Sequence, residues 1–204
     1  MSFIPAILAV VALAMRVAER GIVLAKDLKA AVPLKRDSRP RIYSLTYARR
    51  ADLGAGGAFN AYLRSRPVTV ESDVVISDDP GTSFVRAREK ARSADIVIVS
   101  NYVNVTSETA TASVATAFAD FVHEIVRERG GSGVVVVTFG TPYLLQQIPE
   151  VPTYMIAWGS HVASQRAAAR ALLGEIDITA TLPISIPPLL SIGDGERRSA
   201  TLTP

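Results

Sequence analysis

Carboxylates, imidazoles and hydroxyl-bearing turns are the groups of this 204-residue chain that could move protons or attack a bond. Acid–base cleavage of an acetal requires two carboxyl groups flanking the scissile bond, or an equivalent donor system. Glu108 is the only carboxylate in the loop after the apolar run Asp95–Ser100. Burial would have to raise its pKa before it could act as an acid. In the first turn of a helix it needs no such setting, and carboxylates are mostly exposed. His123 has Asp120 and Glu124 as its acidic neighbours within a helical stretch, which reads as helix-surface chemistry. His161 stands in a loop, where a lone imidazole more often hydrogen-bonds or caps than catalyses.

Other chemistries are excluded by what the sequence lacks. It has no cysteine and two histidines, which rules out disulfides, thiolate zinc and a histidine-rich metal site. It also has no Gly-x-Ser-x-Gly elbow for a serine nucleophile. Gly54-Ala55-Gly56-Gly57 could offer free amides to an anion. It lacks the dinucleotide spacing and the P-loop lysine, so a turn is the default. Glu71, Asp73, Asp78 and Asp79 are close in sequence without EF-hand spacing and read as a solvated strand edge with its following loop. No cofactor and no metal are expected. The net charge of +3 comes from scattered basic residues, with no stripe that could neutralise successive phosphates, so nucleic acid is not an expected partner.

The elements that would position these groups follow from hydropathy. Arg41–Tyr47 and Val68–Ile76 read as strands, and a helix from about Ala58 to Arg64 lies between them. Phe84–Ala94 reads as a polar-faced helix. Asp95–Ser100 and Gly133–Phe139 are short continuous apolar runs, as expected of parallel strands covered on both faces. Between them Val114, Phe118, Phe121, Val122 and Ile125 form one helical stripe closed by Gly130 and Gly131. Pro142–Gln147 suits a short helix, Pro152–Trp158 a strand, and Ser164–Leu173 an alanine-rich helix ended by Gly174. Beyond Pro183 the composition suggests an irregular, partly mobile tail.

Strands alternating with helices imply right-handed βαβ units. The expected fold class is α/β, a three-layer α/β/α sandwich around a mostly parallel, flavodoxin-like sheet. Hydrophobic residues at 49% supply a sizeable core, and no linker divides the chain. Phe3–Met15 is about the length of a signal-peptide core, but no Lys or Arg precedes it and it is too short to span a bilayer. Val10, Leu13, Ala14, Val17, Gly21 and Leu24 recur at helical spacing, which predicts a buried amphipathic helix with Arg16, Glu19 and Arg20 on its outer face. An export or membrane role for this segment is the alternative.

In open α/β sheets ligands collect beyond the carboxyl ends of the strands. That rule nominates the loops around Tyr47, Asn101, Gly140 and Trp158. It gives Asn101, Tyr102, Thr141, Tyr143, Trp158 and His161 as ligand- or partner-facing candidates, none of them catalytic.

Phe139-Gly140-Thr141-Pro142-Tyr143-Leu144-Leu145 resembles the strand-to-helix turn of the carboxyl-terminal domain of family-3 glycoside hydrolases. Val151-Pro152-Thr153-Tyr154 and Ser164–Glu175 continue the likeness, and Leu182–Pro187 and Ile192–Gly195 resemble the family's closing motifs. Upstream, Ala18–Arg20, Leu24–Asp27 and Val32–Leu34 resemble the helix and hairpin that open that domain. The likeness covers residues 10–195, leaving 1–9 as an extension and 196–204 as a tail. Gly21 in place of the usual Ser, and Ala180-Thr181 in place of Gly-Lys or Gly-Arg, are departures from the pattern.

The pattern is similar to the β-N-acetylhexosaminidase branch. The loop Asn101–Glu108 lacks the Glu-Gly-x-Asp-Arg-like acid motif usual in the β-glucosidase branch. The Lys-His-Phe-x-Gly-His-Gly loop that holds the hexosaminidase proton-transfer pair belongs to the barrel domain and is absent here. The resemblance therefore implies a non-catalytic domain, a fragment or a remnant, whose partner is a (β/α)8 barrel acting on terminal N-acetylglucosaminides. An orphaned domain of this kind should expose an apolar face. A free-standing carbohydrate-binding module using Tyr102, Tyr143 or Trp158 is the alternative.

Overall fold

The strands are β1 (Val23–Asp27), β2 (Arg41–Ala48), β3 (Thr69–Ile76), β4 (Ile96–Asn101), β5 (Val134–Thr138) and β6 (Thr153–Ile156). They form one sheet in the order β1-β6-β5-β4-β2-β3, with β1 antiparallel to β6 and all other pairs parallel. The helices are α1 (Ile4–Gly21), α2 (Gly57–Arg64), α3 (Val85–Ser93), α4 (Ala112–Glu128) and α5 (Val162–Leu172), with a 3-10 helix at Pro142–Gln146. These come from a computed structural model that describes residues 4–35, 39–79, 84–103 and 112–201. Phe3, Pro80, Gly81, Glu108 and the side chain of Val114 lie outside the described residues.

Central strands β4 and β5 carry the continuous apolar runs because both of their faces are covered. On one face α3 and α4 bring Ala87, Ala91, Phe118, Phe121 and Ile125 onto Val97, Val99, Val134 and Val136. On the other, α2 and α5 bring Phe59, Leu63, Ala167, Ala168 and Leu172 onto Ile42, Ile98, Val135 and Val137. Together these make the expected three-layer sandwich, and the five parallel strands follow the doubly wound flavodoxin-like order. Salt bridges fasten α3 to α4, including Arg92 to Glu128 at 2.7 Å and Arg92 to Glu124 at 3.0 Å. Lys90 of α3 bridges Glu71 and Asp73 on the edge strand β3, so two of that acidic group are ion-paired.

The amino-terminal helix departs from expectation in three ways. It ends at Gly21 rather than running on through Leu24, because Val23–Asp27 are drawn into backbone pairing with β6. Leu24, read as the last member of the helical stripe, is a fully buried strand residue. The stripe is also not buried: Val10, Leu13 and Val17 are 67, 55 and 64% exposed. What the domain covers of α1 is Met15, Ala18, Glu19 and Gly21, each half-buried. Glu19, expected on the outer face, turns inward to a salt bridge with Arg170 of α5. The part of α1 that the domain covers is thus Met15, two small residues and one ion pair with α5, rather than the aliphatic stripe.

The segment after Pro183 is tied down rather than loose. Ile178 pairs with Arg198, Leu24 with Glu196 and Ile186 with Leu190, while Leu182 and Ile186 are buried. The Arg198 guanidinium bonds to Asp27 at 3.0 Å, and the Asp27 side chain is wholly buried. Asp27 also accepts from the Ala31 amide and the Thr153 hydroxyl, both at 2.9 Å. A buried carboxylate needs this many donors to be tolerated, and that requirement fixes the returning chain against β1.

Candidate functional site

The parallel strands deliver Tyr47, Asn101, Thr138 and Ile156 to one edge, and register sets Tyr47 beside Asn101 and Asn101 beside Thr138. The direction of chain progression across the sheet reverses between β2 and β4, so the usual ligand crevice would open there. Here the chain's own aromatics occupy it. Tyr102 is buried and stacks on Phe139 with ring centres 4.5 Å apart. Phe139 in turn meets Phe59 edge-on. On the opposite face Tyr47 stacks on Phe118 at 4.2 Å. The Tyr47 phenol is pushed up to about 12 by burial and secondarily by Asp78. Burial likewise drives the Tyr102 phenol far upward. Its hydroxyl finds no partner of proper hydrogen-bond geometry, although the Gly56 backbone lies close enough to offset part of the effect. Expected to face a ligand, Tyr102 is instead core, because stacking on Phe139 removes its whole ring from water.

Asn101 and Thr141 belong to one chain of hydrogen bonds. The Asn101 amide nitrogen donates to the Val103 carbonyl at 3.1 Å and to Thr138 Oγ1 at 3.3 Å. Thr138 Oγ1 donates to the Thr141 carbonyl at 3.0 Å. Thr141 Oγ1 accepts from the Tyr143 amide at 3.3 Å and caps the 3-10 helix. Buried Asn101 is thus a loop fastener, and the chain of bonds ends at the backbone amide of Tyr143, whose side chain is exposed.

Tyr143 and Trp158 are the candidates that face outward, at 43 and 38% exposed. Trp158 adopts φ 59, a left-handed conformation that a bulky residue keeps only when its surroundings impose it. His161 occupies the N-cap position of α5 without a side-chain cap bond. The structure therefore joins Asn101 to Thr141, leaves Tyr143, Trp158 and His161 on the outside, and withdraws Tyr102.

Gln165 went unnoticed in the sequence and holds this edge together. It is almost fully buried, accepts from the Phe59 amide at 3.1 Å, and donates to the Gly54 carbonyl at 3.0 Å and the Ser160 carbonyl at 2.7 Å. It ties the glycine turn before α2 to the Trp158–His161 loop. Its signal was available: Gln165 shares a face with Ala168, Ala169 and Leu172, and a polar residue in a buried stripe must be hydrogen-bonded.

The glycine turn serves packing. Gly56 has φ 72, and a Cβ there would fall 2.3 Å from Thr46 Oγ1. The amides of Ala55, Gly57, Phe59 and Asn60 bond within the domain and are not available to the anion considered for this turn.

Three carboxylates of the described edge are engaged by neighbours. Asp52 is held by Arg49 at 3.0 Å and Asp79 by Arg50 at 2.6 Å, and Asp78 accepts from the Arg50 amide. Among the described residues no cluster of histidine and carboxylate side chains could hold a metal ion. His123 pairs with Glu150 on the surface, away from this edge, rather than with Asp120 or Glu124.

The family model described as the glycosyl hydrolase family 3 C-terminal domain matches residues 21–200. A family-3 β-N-acetylglucosaminidase from Paenibacillus superposes with a TM-score of 0.67 at 16% identity, over 92% of this chain and 32% of that one. A fungal multi-domain family-3 β-N-acetylglucosaminidase gives 0.65 at 21% identity, over 87% of this chain and 19% of that one. A β-glucosidase from Listeria innocua gives 0.66 at 18% identity, over 85% and 26%. The chain thus spans a third or less of the length of these structures. No curated protein sequence matches it.

Proposed function

Because the chain belongs to the C-terminal domain family of glycoside hydrolase family 3, we propose that it is the non-catalytic part of a two-domain β-N-acetylhexosaminidase. In this reading it packs against a (β/α)8 barrel that carries the reacting groups, and its carboxyl edge walls one side of the sugar cleft. The parent reaction releases terminal N-acetylglucosamine through a glycosyl-enzyme intermediate.

The observation that carries this reading is chemical. Glycoside hydrolysis needs two working carboxyl groups, and at the described edge Asp52, Asp78 and Asp79 are tied to Arg49 and Arg50. The choice of an amino sugar rests on the missing acid motif in the loop after β4. Fold does not discriminate, since structures of both branches superpose about equally well.

The test is reconstitution. The purified chain is mixed with the barrel domain of a family-3 β-N-acetylglucosaminidase and assayed on a chromogenic N-acetylglucosaminide. Co-elution, with hydrolysis by the mixture and none by the chain alone, is expected. Enzymatic turnover by the chain alone overturns the non-catalytic assignment, and failure to bind any family-3 barrel overturns the partner.

The outward rings of Tyr143 and Trp158 favour a second reading, a free-standing carbohydrate-binding module. Calorimetry against chitin and peptidoglycan fragments decides it: heat lost in Trp158→Ala supports the module, and no heat rejects it.

A further inference from the structure

We infer that the amino-terminal part of α1 anchors the domain in a single leaflet of a lipid membrane. Eight successive residues, Ile7–Ala14, are exposed, so no side of the helix is covered over more than two turns. Among them Ile7, Leu8, Val10, Val11 and Leu13 are between 54 and 67% exposed. At 3.6 residues per turn, Ile7, Leu8 and Val11 prolong the side that packs on α5 beyond that contact, while Val10, Leu13 and Val17 occupy another side. The resulting apolar surface wraps more than half the circumference and far exceeds the scattered exposure normal for a soluble domain.

The wrapping selects the occupant. A partner helix, including α1 of a second copy, covers one stripe of roughly 100° and would leave the rest in water. Hydrocarbon covers a helix from all sides. Length agrees: from Ile4 to Met15 there is no charged residue, and twelve helical residues rise about 18 Å. One leaflet of a bilayer core is about 15 Å deep. No helix of the described residues is long and apolar enough to cross a membrane.

Charge agrees as well. Arg16 and Arg20, four residues apart and exposed, stand at the base of the apolar segment where headgroups would lie. The one acid of this helix, Glu19, is engaged by Arg170 and does not oppose them. The base thus presents net positive charge to an anionic surface. None of these residues belongs to the carboxyl edge assigned above to the sugar cleft.

Flotation of the full chain with vesicles of phosphatidylcholine, alone or with one-third phosphatidylglycerol, tests it. The chain is expected to rise with both, and more strongly with the anionic mixture. Leu8→Glu with Val11→Glu should lower the bound fraction by about tenfold or more. Arg16→Glu with Arg20→Glu should abolish the preference for anionic lipid. All four positions are exposed, so both variants should keep the wild-type melting temperature. A wild-type chain that stays soluble with both vesicles overturns the anchor. So does equal flotation of the Leu8→Glu, Val11→Glu variant. A sedimenting dimer dissolved by that variant, without vesicle binding, reassigns the surface to self-association.

Discussion

Helices α1 and α5 share a layer and touch each other, yet they reverse the usual relation between apolarity and burial. α5 is poor in large side chains, and Ala167, Ala168, Ala169, Ala171 and Leu172 are buried almost completely. α1 is rich in Ile, Leu and Val and leaves them in solvent. The difference teaches that small residues decide which helix sits close to the sheet, since alanine lets a helix backbone approach where leucine holds it off. An apolar stripe shows only that something must cover it.

Matched truncations break or sharpen this contrast. Leu172→Ala should destabilise the chain by about 4 kcal/mol in urea unfolding, because a fully buried leucine leaves a cavity. Gln165→Leu should cost about 3 kcal/mol, because the Phe59 amide and the Gly54 and Ser160 carbonyls lose their partner. The same variant should speed hydrogen exchange at the Phe59 amide, which an apolar repacking alone would not do.

A smaller effect, confined to acid, concerns the clasp between α2 and the end of α5. Burial of Glu175 acts to raise its pKa, but bonds from Arg66 and Tyr62 overrule it and hold the carboxyl below its ordinary value. A depressed folded pKa stabilises the fold above the unfolded value, near pH 4.3, and that stabilisation is lost as pH falls through the folded value. Glu175→Gln should therefore flatten the acid limb of a stability profile below about pH 4.3.

The smallest effect completes the contrast. Leu13→Ala on α1 should change stability by less than about 0.5 kcal/mol, since the side chain is 55% exposed and alanine favours helix. A loss comparable to that of Leu172→Ala would mean that the isolated chain covers α1 after all.

Legibility followed the range of the interactions. β4 and β5 could be read directly, because burial on both faces imposes an unbroken apolar run. β1 was hidden, because Leu24 continues the helical spacing of α1 and only its pairing partner, β6, marks it as a strand. At the carboxyl edge the strand-end rule nominated loops that do follow β2, β4, β5 and β6. It could not tell the ring that stacks inward at Tyr102 from the rings that stay outside at Tyr143 and Trp158. Gln165 carried a readable warning, a polar residue on an alanine face, without any indication of what it would bond.

Local periodicity thus determined the α/β class and the order of most elements, because each depends on which neighbouring residues share a face, while the family motifs were read as a resemblance of residue order. Only the tertiary structure decided what each face meets. The bond from Gln165 to Phe59 spans 106 residues and that from Arg198 to Asp27 spans 171. Those separations explain why the clamp at the carboxyl edge, the anchored carboxyl-terminal segment and the bare surface of α1 have no signature in local spacing. Burial is a property of the pair of surfaces, and one sequence segment specifies only one of them.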